Sequence, residues 1–381
     1  MKKTILILNS YYLPAKKYGG PTTSIANLIE ACGDDFDIKL IVRNHDYGSK
    51  EVFPDILSGW NKVGKANVIY LPDKEFNLKN FKKWLIELKP ALVYGGELYS
   101  LIGLKIIKIT NSMNIPLIFT ARGQLNYNAL RHKSYKKLPY IFCLRMLNIF
   151  KKTYFHATCE QEKLGIENYL RIDENKIFSI ENMPRFANNE LNKKKDCRVL
   201  KIVSIARICP IKNILFAIKV VNLLNVETIF DIYGPLEDYN YWNLCENEIK
   251  KAPSNIHINY CGHLNSDQVC TTLEKYDCFL FPTLSENYGH SIVEAMISGC
   301  PVVISQGTTP WDSVNNNGGF TANLGYIQNF ADVLTKIAKM SEDEYSELLA
   351  KTNQYIKNKI NYKEVKNKYM QMFDRVVLGR E

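Results

Sequence analysis

Short apolar runs alternate with helix-period segments along most of the chain. Residues 4–10 (TILILNS) read as a buried strand, followed by a glycine-containing loop and a helix over about 21–31. Residues 37–43, 66–72, 91–96, 116–122 and 153–159 read as further strands. Helical stretches such as FKKWLIEL (81–88) lie between them. Apolar strands separated by helices predict α/β architecture with a parallel sheet.

The pattern then breaks. Residues 188–198 (NNELNKKKDCR) are polar, charged and without apolar periodicity, which predicts an interdomain linker over 188–199. A second strand–helix series follows, with strands at 200–206, 228–234, 256–262, 278–283 and 300–305. The expected organisation is an N-terminal Rossmann-like domain over 1–187 and a second over 200–361, facing across a cleft. An amphipathic helix over 362–377, within a terminal segment 362–381, is expected to pack back on the first domain. In open α/β sheets ligands bind beyond the carboxyl ends of the strands, so the loops there are where chemistry is sought.

Composition narrows the class. At 381 residues the chain is long enough for two domains, and 46% hydrophobic content builds large cores. No apolar run reaches the ~20 residues of a membrane span. The longest candidate, residues 138–150, is short and carries Arg145. The N-terminus has too few apolar residues after its two lysines for a signal segment and reads as the first strand. The ten cysteines form no C-x-x-C pair, and Cys143 and Cys278 sit inside apolar runs. That usage predicts buried thiols in a reducing cytosol, not a disulfide framework or a zinc site.

The net charge of +10 is unevenly divided. Residues 1–190 hold 28 basic and 18 acidic residues, so 28 − 18 = +10; residues 191–381 hold 21 of each. Residues 98–159 contain ten basic residues and no acid. Such a stretch is either a solvated lysine-rich face or a surface for an anionic partner: a membrane, a phosphate-bearing acceptor or nucleic acid.

Residues 278–303 carry the most specific chemistry. A strand leads into the loop LSENYG, and the helix HSIVEAMIS follows, stopped at Gly299 and Pro301. His290, Ser291 and Glu294 fall on one helical face, and free N–H groups near Gly289 and His290 suit a phosphate. Glu294 can accept two hydroxyl hydrogen bonds from a ribose, and Glu286 can hold another polyol, a sugar. Alone, this spacing favours a surface acid and a helix-start charge. A second loop changes the balance. In VSIARICPIKNILFAI (203–218), Arg207 and Lys212 lie on a strand-to-helix loop, where a cation pair can clamp a diphosphate. The Gly19-Gly20 pair in YGGPTTSIANL (18–28) lets backbone approach a ligand, or simply makes a tight turn. It lacks the G-x-G-x-x-G dinucleotide fingerprint.

Together, YGGPTTSIANL, IARICPIKNI (205–214), PTLSENYGHSIVEAMISGCPVVIS (282–305) and GTTPWDSV (307–314) resemble the family-4 retaining glycosyltransferases of GT-B fold. The Glu286-x7-Glu294 signature with Ala295, Gly299 and Pro301 is its most specific element. Thr309-Pro310-Trp311 resembles a subgroup common among bacterial surface-polysaccharide (O-antigen and capsule) enzymes. The resemblance is strong over about 200–320 and thin over 30–180. It implies that Arg207 and Lys212 bind the donor diphosphate and stabilise the leaving group, that Glu294 binds the ribose and that Glu286 touches the transferred sugar. It also implies that Tyr288, Gly289, His290 and Ser291 line the pocket and that Gly19 and Gly20 close on the diphosphate. Asn182 matches a position where relatives often carry Asn. Where many relatives place a His near the reacting sugar, FTARGQLN (119–126) offers Arg122 and Gly123 instead, so Arg122 is a candidate acceptor or sugar contact.

The expected reaction is metal-independent and needs no cofactor. No Asp-x-Asp motif stands where another transferase class needs one, so fixed cations would take the leaving group's charge. The expected partners are a UDP- or GDP-sugar donor, a lipid-linked or glycan acceptor and an anionic membrane surface, at the cytoplasmic inner face of the plasma membrane. A nucleotide-sugar epimerase on the same scaffold is the alternative. A nucleic-acid binder is disfavoured by the acidic pair and by the lack of any recognised binding motif.

Overall fold

A computed structural model describes residues 2–15, 17–125, 130, 134–184, 198–265 and 268–379. The chain divides into two compact units, one formed by residues 1–183 with 362–381 and the other by 184–361. Residues 188–197, most of the expected linker, lie outside the described residues.

The first unit is built on an eight-stranded sheet. Its strands are β1 (Thr4–Leu8), β2 (Asp37–Arg43), β3 (Trp60–Val63), β4 (Ala66–Leu71), β5 (Leu92–Gly95), β6 (Leu117–Thr120), β7 (Thr153–Ala157) and β8 (Ile177–Ser179). They lie in the order β3-β4-β2-β1-β5-β6-β7-β8, with only the β3–β4 pair antiparallel. Alternate residues of a strand feed opposite faces. Ile5, Ile7, Leu40 and Val68 therefore join one buried cluster, and Leu6, Leu8, Ile41 and Ile69 the other. Burial on both faces is why these strands read as continuous apolar runs.

The helix Tyr362–Leu378 belongs to this first unit. Val365, Tyr369, Met372, Phe373 and Val376 face inward at helical spacing and share a cluster with Ile25, Leu28 and Tyr94. The Phe373 ring stands edge-on to Phe36 at 5.5 Å, and ion pairs Lys366–Asp35 (2.8 Å) and Lys3–Asp374 (3.2 Å) flank the contact.

The second unit is a six-stranded sheet with every pair parallel. It comprises β9 (Leu200–Ile205), β10 (Thr228–Tyr233), β11 (Ile256–Tyr260), β12 (Cys278–Phe281), β13 (Val302–Ser305) and β14 (Gly319–Ala322). The order is β11-β10-β9-β12-β13-β14, so the chain winds outward from β9 in one direction and from β12 in the other. Neighbours β9 and β12 pair through Ile202–Cys278 and Val203–Phe279. In open α/β sheets ligands bind at the carboxyl edge beside such a reversal.

Three strands escaped the pattern reading: β3, β8 and β14. Two differences concern the cysteines. Cys143 and Cys261 are exposed, whereas Cys32, Cys209, Cys245, Cys278 and Cys300 are buried. Cys143 lies on the outward side of its helix with Phe142, while Ile141 and Leu144 of the same run face inward.

Candidate active site

The loops after β9 and β12 leave the reversal point of the second sheet side by side and are stitched together. Asn213 Nδ2 donates to Pro282 O at 3.0 Å, Thr283 Oγ1 to Ile211 O at 3.0 Å and Leu284 N to Ile211 O at 2.9 Å. Residues Pro210–Lys212 form a single 3₁₀ turn, and Asn213 takes a left-handed conformation (φ 57°) before the helix Ile214–Val221 begins. With its amide committed to Pro282, Asn213 does not cap that helix.

This stitching brings Lys212 and Glu286 into an ion pair, with side chains 13% and 18% exposed. The Lys212 ammonium also lies 5.4 Å from the centre of the Phe281 ring. Arg207, on the same loop as Lys212, pairs with Glu237 from the loop after β10. Glu237 had no signal of its own in the sequence. What places it is Gly234: a Cβ there would lie 1.7 Å from Ala206 O, so only glycine lets the two loops run in contact. Each candidate phosphate-binding cation thus faces a carboxylate.

Glu286 is fixed from behind. Its backbone N–H donates to Thr308 O at 2.8 Å, and its side chain packs against Gly289, where a Cβ would come within 3.2 Å of Glu286 Cγ. Gly289 (φ 78°) is the N-cap of the helix His290–Ile297 and, as glycine, brings no side-chain cap of its own. Backbone N–H groups at such a helix start favour an anion. His290, Ser291 and Glu294 are half-buried, with His290 and Glu294 one turn apart on a shared face. Tyr288 contributes differently from its neighbours. Its ring is 4% exposed and packs against Trp311 (5.8 Å) and His290 (4.9 Å), so its backbone, not its ring, is what the loop presents. The Trp311 indole N–H donates to Tyr288 O. The Thr-Pro-Trp segment therefore supports the loop that carries Glu286.

The remaining candidates lie in the first unit. Gly19 and Gly20 start the helix Gly20–Cys32 at the carboxyl end of β1, with Pro21 in its first turn. Arg122 follows β6 in a left-handed conformation (φ 48°). Its Nε donates to Thr120 Oγ1 at 3.2 Å, and among the described residues its buried Nη1 has no hydrogen-bond partner. Nearby, Ser10 Oγ and Tyr18 OH both donate to Glu97 Oε1, at 2.6 and 2.8 Å. Burial and the Glu97 carboxylate push the Tyr18 hydroxyl well above its ordinary pKa, so it stays a donor. Asn182 is half-buried beyond β8, in a segment held by Asn27 Nδ2 to Met183 O (2.9 Å) and by His156 Nε2 to Ile180 O (2.8 Å). Glu97 and Tyr18 were missed because an acid just past a strand and an aromatic in a loop carry no periodic signal.

Among the described residues no group of three or more His, Cys, Asp or Glu side chains is placed to hold a metal ion. Asp35 and Asp37, an Asp-x-Asp in sequence, lie at the amino end of β2, where Asp35 pairs with Lys366 and Asp37 with Lys39.

Residues 186–359 match the family model of the glycosyl transferases group 1. No curated protein sequence matches the chain significantly. Solved structures similar over nearly the whole length include Anabaena Alr3699/HepE in complex with UDP and glucose, at 12% identity and TM-score 0.74, over 98% of this chain and 99% of that one. Sucrose-phosphate synthase from Thermosynechococcus elongatus aligns over 99% of this chain and 100% of its own, at 11% identity and TM-score 0.76. A Staphylococcus aureus TarM variant in complex with fondaparinux, α-GlcNAc-glycerol and UDP aligns over 98% and 100%, at 14% identity and TM-score 0.69. At these identities the likeness carries the fold, two parallel-sheet α/β units of GT-B type.

Proposed function

We propose that this GT-B glycosyltransferase moves a sugar from a UDP- or GDP-sugar to a glycan or lipid-linked acceptor, with retention and without a metal ion. The observation that carries the reading is the Lys212–Glu286 pair at the reversal point of the second sheet, with the Gly289 helix start beside it. Breaking a sugar–phosphate bond puts negative charge on the departing diphosphate. Lys212 and Arg207 are fixed cations for that charge, and donors aimed at developing charge stabilise a transition state more than a ground state. When the diphosphate takes the cations, Glu286 is released to accept hydrogen bonds from sugar hydroxyls, and Glu294 serves the ribose in the same way. His290, Ser291 and the backbone of Tyr288 and Gly289 line the phosphate. The sequence resemblance gives Gly19 and Gly20 a part in binding the diphosphate, and Arg122 and Asn182 a contact with the acceptor or the sugar.

Retention is assigned to same-face attack. The acceptor oxygen forms the new bond at the anomeric carbon as the sugar–phosphate bond breaks, and the leaving phosphate oxygen takes the acceptor proton. A place in bacterial surface-polysaccharide synthesis rests on the sequence resemblance around Thr309-Pro310-Trp311.

A thermal-shift panel of UDP, GDP and their sugar conjugates tests the donor class, since a ligand that binds only the folded chain raises Tm. One nucleotide should stand out. NMR of the product should show the anomeric configuration of the donor, and EDTA should leave the rate unchanged. An inverted product, or an altered sugar nucleotide formed without acceptor, would overturn transfer with retention.

A further inference from the structure

The helix Ser134–Met146 in the first unit has two faces of opposite use. Ile141 and Leu144 are buried, and Tyr140 reaches back to donate to Leu98 O at 2.8 Å. On the other side Tyr135, Leu138, Phe142 and Met146 are 71, 45, 54 and 69% exposed, and Leu147 just beyond is 72% exposed. At about 100° per residue, positions 135, 138, 142 and 146 share one outward arc of under a quarter-turn. Arg145 lies about 20° beyond one edge of that arc and Lys136 about 80° beyond the other. Soluble chains do not usually concentrate so much large apolar surface on one helix without something to cover it.

The surroundings say what covers it. Lys136, Lys137 and Arg145 lie on the helix and Lys151 and Lys152 follow it, with no acid over residues 134–159. At the carboxyl end of the helix a cavity of about 120 Å³ is lined by Arg145, Lys151, Arg171 and Lys176, with Asp173 the acid beside them. Lys176 Nζ is held to Lys151 O at 2.7 Å, which keeps the two lysines at one rim. An apolar stripe flanked by cations, next to a cation-lined pocket, matches a bilayer with anionic headgroups: acyl chains take the stripe and a headgroup phosphate takes the pocket. A second copy of this chain would bring the same cations against themselves, and a nucleic acid would leave the stripe uncovered.

We propose that the helix Ser134–Met146 and the adjoining cationic pocket form a docking surface for an anionic lipid bilayer. Its biological reason rests on the lipid-linked acceptor proposed above, but its physical basis is the surface of the first unit and not the donor site. Docking would deliver the chain to an acceptor confined to the same membrane.

The test is flotation of the full chain with vesicles of phosphatidylcholine, alone or mixed with phosphatidylglycerol. Binding is expected to the mixed vesicles and to weaken as salt rises. Phe142→Asp with Met146→Asp should lower partition more than tenfold. Lys136→Ala, Arg145→Ala and Lys151→Ala should each lower it about fivefold, the effect of one cation near an anionic surface. Because these positions are exposed, or half-exposed at Arg145, Tm and the nucleotide-induced thermal shift should stay as in the parent chain; that control separates lost docking from lost folding and from failure of the donor reading. Absence of binding, equal binding to neutral vesicles, or unchanged binding of the double variant would overturn the proposal. So would a dimer that dissociates with Phe142→Asp while vesicle binding is absent.

Discussion

Lys212 and Glu286 stand 74 residues apart in sequence and form one partly buried ion pair across two neighbouring loops. Taking either partner away leaves the other charge half-enclosed, which is how a local change gains a functional readout. Lys212→Ala should lower kcat by about 10²–10³-fold, the effect of losing one aimed donor, with the fold retained by circular dichroism. Glu286→Gln should do something different. It removes the carboxylate that competes for Lys212, so free UDP or GDP should bind more tightly while the sugar nucleotide gains less. Calorimetric titration of both ligands measures the ratio, and equal gains would remove Glu286 from the sugar.

Arg207 and Glu237 form the matching pair at the mouth of the same loops, with side chains 38 and 36% exposed. A pair this exposed contributes about 0–1 kcal/mol to stability. Glu237→Gln should therefore leave Tm nearly unchanged and lower the Kd for the nucleotide diphosphate. Arg207→Ala should raise that Kd and lower kcat. If both variants bind nucleotide as the parent does, Arg207 serves the surface and not the donor.

Trp311 is 7% exposed, and its indole N–H holds the backbone of Tyr288. Trp311→Phe keeps most of the packing and drops the hydrogen bond, at a cost of about 1 kcal/mol. Its larger effect should appear as a raised donor KM, because the loop carrying Glu286 loses its brace. Comparing the change in KM with the change in Tm checks the assignment.

His156 is buried, and burial pulls its pKa down to about 4 from the ordinary 6.5. Nε2 donates to Ile180 O, so Nδ1 accepts from Tyr94 OH at 2.7 Å and the ring is neutral. Between about pH 6.5 and 4 the unfolded chain binds a proton that the folded chain refuses. Stability is therefore full above about 6.5 and falls as pH drops toward 4, at most by about 1.4 kcal/mol per unit of pKa difference. His156→Gln can keep both hydrogen bonds and should flatten that slope. Urea midpoints at pH 7 and pH 5 for the two chains provide the measurement.

The apolar strands were legible because both faces of each sheet are buried, which leaves continuous runs such as 4–8 and 278–281. The strand Trp60–Val63 was not, since it is a short edge strand with no fully buried residue, and Gly319–Ala322 is an edge strand only four residues long. In the site, Glu286 and Lys212 could be named because a strand, a loop and a helix frame each of them. That they touch depends on side-chain-to-backbone bonds such as Asn213 to Pro282, which no spacing encodes. Tyr288 shows the converse: the motif marks the position, but only packing against Trp311 tells that its ring points inward.

Arg122 carries a cost in the unliganded chain. Its backbone is left-handed, and its Nη1 is buried with no partner among the described residues. A charged donor held this way costs about 1–3 kcal/mol of desolvation until an acceptor group arrives. Arg122→Met removes that donor while keeping much of the side chain's length, so the unliganded protein should become no less stable, or more so. The same change should raise the acceptor KM at least tenfold and leave donor binding unchanged if, as proposed, the diphosphate is held by Arg207 and Lys212. Urea denaturation with steady-state kinetics varied in each substrate separates the two effects. A destabilised variant with normal acceptor KM would make Arg122 a structural residue; lost donor affinity would reassign it to the donor.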